Sequence, residues 1–118
     1  MTEARLWLLH LLAGAALLVL LGAHLVVMHL PRVLAALGAG PADPLTFASV
    51  AERAASPAWP LLYLLLLFVA LYHGLYGLRG IVLELTGAAR KAKVLVSTVL
   101  IILGAAALFY GALVVFRF

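Results

Sequence analysis

Cysteine is absent from the 118 residues, so disulfides, thiol chemistry and iron–sulfur ligation by this chain are all excluded. Charge is scarce as well. Only 10% of residues are Asp, Glu, Lys or Arg, against about 25% in an ordinary water-soluble domain. Basic residues outnumber acidic ones by eight to four, but no basic cluster is interleaved with aromatic or polar readers, so the footprint of a nucleic-acid-binding protein is missing. What is abundant is apolar. Hydrophobic residues make up 68% of the chain, more than a molecule this small could shield from water. The solvent that this composition requires is lipid.

Three apolar stretches reach the about 20 residues that a helix needs to cross a bilayer. The first is Leu6 to Leu30, expected to end at Pro31-Arg32. The second begins near Trp59-Pro60 and runs to about Leu85, and the third is Val94 to Phe116, between Lys93 and Arg117. In hydrocarbon the backbone must satisfy its own polar groups, so each stretch is expected to be a helix. The predicted fold is an all-α integral membrane three-helix bundle, one transmembrane domain over 1–118. The first stretch is longer than the about 7–15-residue core of a secretory signal and holds three histidines, so it reads as a retained span.

Between the first two spans lies the loop 31–58, the only extended polar stretch. Asp43-Pro44 is a helix-start signal there, and Leu45 to Ala55 could form a short amphipathic helix on the membrane surface. The second loop, 86–93, is short and basic. Arg90, Lys91 and Lys93 place it on the cytoplasmic side, and the N-terminus with Arg5 then lies on the same side.

The segment YHGLYGLRGIVLE at 72–84 is out of keeping with a plain lipid-facing helix, because ionisable side chains at membrane depth are costly and functional by default. At about 100° per residue, His73, Gly77, Gly80 and Glu84 share one face. An imidazole beside positions that lack side chains suits axial ligation of haem iron, with room for a flat macrocycle on the neighbouring turn. The same glycines, with Gly74, suit close helix–helix packing equally well, with His73 bonding a neighbouring helix. From this span alone both readings stand. Arg79, ~9 Å along the axis from His73, can pair bidentately with a haem propionate or simply snorkel to the interface. Glu84 has the plain reading of an interfacial charge. Tyr72, Tyr76 and Trp59 read most simply as belt or packing aromatics.

The first span carries His10, His24 and His29. His10 and His24 lie ~21 Å apart along the axis and about 40° apart around it. His10, close to the inner surface, is open between helix packing and contact with a headgroup or cofactor. His29, at the outer end, reads as an interfacial histidine. His24 is deeper and is the second candidate ligand. His24 and His73 would differ in depth by about 9 Å, so one iron could not take both. If both are ligands, they serve two haems, and each needs a partner histidine from another chain.

These residues resemble the hydrophobic membrane-anchor subunits of succinate:quinone oxidoreductase (succinate dehydrogenase, respiratory complex II). The cytochrome b-type anchors of that family carry H-x-x-x-G on a central span, followed by a polar or acidic residue near the cytoplasmic surface. Here the match is His73-Gly74-Leu75-Tyr76-Gly77, with Glu84 further along. GAHLVVMH at 22–29 resembles the segment that carries an outer haem ligand in two-haem members. The chain looks more like the smaller anchor, since Leu9-His10-Leu11-Leu12-Ala13-Gly14 stands where the larger subunit has Ser-x-x-His-Arg-x-(Ser/Thr)-Gly. Related anchors often follow the acid with a quinone-contacting tyrosine, whereas Leu85 follows Glu84 here.

The resemblance implies a non-catalytic subunit of an oxidoreductase complex, with His73 ligating an inner haem b and His24 a second. Glu84 becomes a quinone-site candidate, the quinone being menaquinone or ubiquinone. The implied partners are a second membrane-anchor subunit, an iron–sulfur subunit and an FAD flavoprotein subunit, set in a bacterial cytoplasmic (inner) membrane. A quinol:fumarate reductase uses the same parts in reverse. A different class, a non-redox scaffold or transporter subunit, would bind no haem.

Overall fold

The computed structural model describes residues 3–38, 43–87 and 89–117. Four helices account for nearly all of them: α1 (Glu3–Ala36), α2 (Phe47–Ala55), α3 (Ala58–Leu85) and α4 (Arg90–Phe116). There is no strand among the described residues. Helices α1, α3 and α4 are each long and apolar enough to cross a membrane, and the expected all-α three-span bundle is what the chain forms.

Helix α1 does not stop at Pro31. It runs for 34 residues with the proline inside it. Proline lacks the N–H that would bond four residues back, but losing one ladder bond leaves the turns on either side intact, and the helix continues to Ala36. At 1.5 Å per residue it is ~51 Å long, well beyond a hydrocarbon core of about 30 Å.

The polar link to α3 is organised by its small side chains. Helix α2 starts at Phe47 rather than directly after Asp43-Pro44, because Thr46 takes the cap. Its Oγ1 accepts from the Ser49 backbone N–H at 3.3 Å, satisfying one of the free donors of the first turn. Asp43 instead receives both arms of Arg32, at 3.1 and 3.2 Å, and the Leu45 N–H at 3.0 Å. Arg53 donates to the carbonyl of Pro44, closing the loop against the last turn of α2.

Helix α3 is the centre of the molecule: α1, α2 and α4 all pack on it. Its far end closes with Gly87 at φ 69°, the left-handed position that glycine adopts without strain, and Thr86 Oγ1 caps the Val82 carbonyl at 2.9 Å. Against α4, Gly104 faces Leu75 and Gly111 faces Leu67. A Cβ built on Gly104 would lie only 2.6 Å from Leu75 Cδ1, so the two backbones meet where side chains are missing.

Almost nothing is enclosed by a single copy. Among the described residues Leu83 is the one buried member of the hydrophobic core, whereas Leu18, Val19, Ile101 and Phe109 are at least two-thirds exposed. Surfaces of this kind are covered by lipid tails or by other membrane helices.

Candidate functional site

The packing of α1 on α3 is built from two copies of one spacing. His10 lies four residues before Gly14, and His73 four residues before Gly77. The helices run antiparallel, so each imidazole meets the other helix's glycine. A Cβ on Gly14 would lie 2.8 Å from His73 Cε1, and one on Gly77 would lie 3.3 Å from His10 Cε1. The two rings stack face to face, with centroids 4.2 Å apart and planes 7° from parallel. Tyr76 leans on His10 at 5.2 Å.

The hydrogen bonding is not reciprocal. His73 Nδ1 lies 3.1 Å from the backbone carbonyl oxygen of His10. A carbonyl only accepts, so Nδ1 is the donor in this contact, and the tautomer that this selects is the one with its lone pair on Nε2. A helical carbonyl has two lone pairs, so this one can bond the N–H of Gly14 four residues on and still receive His73. On the other ring, His10 Nδ1 is buried with no partner among the described residues. Nearby, Tyr72 donates its hydroxyl to the Leu6 carbonyl at 2.8 Å, so α1 accepts two side-chain bonds from α3 through its backbone.

The other sequence-predicted residues fall elsewhere. Gly74 and Gly80 have no atom within 4 Å of a built Cβ, so of this span's helical glycines only Gly77 is in a close contact, and its clearance is filled by His10. Glu84 is exposed in the last turn of α3. His24 is half-buried and meets the edge of Tyr63, ring centroids 5.8 Å apart at 81°. His29 is exposed. Arg79 is half-buried and donates Nε–H to Ser97 Oγ on α4 at 2.8 Å. It stands in an apolar cleft of about 590 Å³ between α3 and α4, with Phe68, Leu71, Tyr72, Tyr76 and Ser97 among its walls. His73 does not line that cleft.

The donor set fits a haem better than a bare ion. No group of three His, Asp or Glu side chains converges among the described residues. What the chain offers is single imidazoles, and His73 has the form an axial ligand takes: ring fixed by a carbonyl at one nitrogen, lone pair free at the other.

Three helices long and apolar enough to cross a membrane, two of them packed on a central one whose imidazole is held by its neighbour, define a small multi-pass helical membrane protein. Its family is given by comparison. The model of the succinate dehydrogenase/fumarate reductase transmembrane subunit family matches residues 2–113, and the chain belongs to that family. It is 33% identical over 114 residues to the succinate dehydrogenase hydrophobic membrane anchor subunit of Archaeoglobus fulgidus, a match covering 97% of this chain and 89% of that protein. No solved structure matches it significantly. The family resemblance carried by the H-x-x-x-G segment is thereby confirmed.

In the sequence Gly14 stands only as part of the Leu9 to Gly14 segment, with no role of its own, and Ser97 does not stand out. The signal for Gly14 was the repeat of the H-x-x-x-G spacing on the first span. Ser97 gave no signal, since its role depends on which turn of α4 faces Arg79.

Proposed function

We propose that this chain is the smaller hydrophobic anchor of a succinate:quinone oxidoreductase, binding haem b through His73 and helping to form the quinone site. The observation that supports it most directly is the bond from His73 Nδ1 to the His10 carbonyl, which leaves Nε2 as the ligating atom. When bound, haem b supplies a one-electron redox site inside a low-dielectric interior. The chain itself breaks no bond. Its residues hold, orient and neutralise.

In this reading His73 would hold the haem iron, with a second histidine supplied by another membrane-anchor subunit. Gly77 contributes indirectly, by admitting the His10 ring that braces His73. Arg79, with one N–H on Ser97, has terminal donors left for a propionate. Glu84, exposed beside the helix end, is the proton-carrying group nearest the basic loop and the candidate for the quinone side, whether menaquinone or ubiquinone. An iron–sulfur subunit and an FAD flavoprotein subunit would dock at that end and deliver the electrons taken from succinate. Arg90, Lys91 and Lys93 at the start of α4 support an orientation with this end on the cytoplasmic side of a bacterial inner membrane. His24 is the place for a second haem, although its ring has no hydrogen-bond partner comparable to that of His73.

The test is the His73→Ala chain assembled in its complex. Pyridine haemochrome titration per flavin should show the loss of at least one low-spin haem. An unchanged haem content and spectrum would reject the assignment.

A further inference from the structure

The contact between α1 and α3 does more than hold two helices together. The His73 side chain turns about two bonds, and both rotations are restrained from α1. The His10 carbonyl fixes one point of the ring at Nδ1. The His10 imidazole fixes its plane, lying 4.2 Å away and nearly parallel. Gly14 provides the space: its missing side chain is where the ring's Cε1 edge sits, and any Cβ there would stand at 2.8 Å, closer than such contacts allow. His10 and Gly14 are four residues apart, so the carbonyl that accepts the hydrogen bond from Nδ1 and the gap that receives the ring are ends of the same helical hydrogen bond.

We infer that Gly14 is a positioning residue for the axial imidazole: by leaving room for the ring it lets Nδ1 reach the His10 carbonyl, and so sets the tautomer and the rotational angle of His73. The inference rests on His73 being a haem ligand, and it concerns what α1 does to that ligand. An axial imidazole hydrogen-bonded at Nδ1 is a more basic ligand, and its plane fixes how iron orbitals align with the partner imidazole. Both properties are visible in the spectrum without turnover.

The experiment uses the intact complex with Gly14→Ala and, as a control on the same helix, Gly22→Ala, a position with no atom within 4 Å of a built Cβ. Haem content should stay at the wild-type ratio in both. In Gly14→Ala the largest g-value of the ferric low-spin signal and the haem midpoint potential should shift, while Gly22→Ala should match wild type. A Gly14→Ala complex with full haem and wild-type g-values and potential overturns the inference, provided that His73→Ala has removed the haem. If His73→Ala leaves the haem in place, the ligand assignment itself falls and takes the inference with it. Should Gly14→Ala fail to assemble, ¹⁵N-histidine NMR of the wild-type complex with its haem reduced to the diamagnetic low-spin ferrous form decides. A protonated, hydrogen-bonded Nδ1 on the ligating ring supports the inference, and an Nδ1 that is bare or free of a hydrogen bond refutes it.

Discussion

Arg79 donates its Nε–H to the hydroxyl of Ser97 across 2.8 Å, the one side-chain hydrogen bond between α3 and α4 among the described residues. A charge in an apolar cleft is held in place by a neutral partner, which fixes the guanidinium without cancelling it. The two residues therefore separate experimentally. Ser97→Ala should lower the stability of the complex by about 1.5–2 kcal/mol, the lower part of the range for a hydrogen bond to a charged group, and leave haem content intact. Arg79→Gln removes the positive charge as well. If that charge faces a propionate, the ferric form is stabilised and the haem midpoint potential falls. Redox titration of both variants checks this, and equal potentials would remove the propionate from Arg79.

His24 carries the second-haem expectation, and its count is simple to read. His24→Phe keeps a flat ring against Tyr63, so packing is preserved. If His24 is a ligand, the haem-to-flavin ratio should fall by one per complex while the His73-dependent signal persists. A ratio that stays the same makes His24 a packing residue of α1.

The polar link between α1 and α3 has its own pH dependence. The Arg32 guanidinium beside Asp43, helped by the Leu45 N–H, holds that carboxyl below the usual carboxylate range. Because the folded value is depressed, the stabilisation is present above the ordinary range and is lost as pH falls through the lowered folded value. Protection factors of amides 45–55 should stay level from neutral pH down to mildly acid conditions and collapse only in strong acid. In Asp43→Asn they should be low throughout and nearly independent of pH. A wild-type profile identical to that of the variant would show that the ion pair does not organise the loop.

Much of this was legible in the sequence. Hydrophobic run length announces a lipid-crossing helix because the bilayer leaves the backbone no other choice, and His73 stood out because imidazoles are rare at depth. The ends of helices were harder. Pro31 suggested a stop, yet a single missing N–H is tolerated when the next turn can form. Asp43 looked like a helix start, but its carboxylate was drawn to Arg32, eleven residues earlier, and Thr46 capped the helix instead. The neighbours of His73 were least legible. The face of His73, Gly77 and Gly80 can be read from one helix, but what fills each gap depends on the helix opposite. His10, Gly14 and Ser97 acquire their roles only when α1 and α4 are laid against α3.

The paired imidazoles also act as a ratchet. His10 seats on Gly77 and His73 on Gly14 at a single axial setting of α1 against α3. Sliding one helix by a turn, ~5.4 Å, in one direction would drive His10 onto Ile81 and His73 onto Leu18. In the other direction it would bring the two histidines into the same notch. Neither neighbouring setting accepts the rings, so the register of α1 on α3 is written into this chain's own residues.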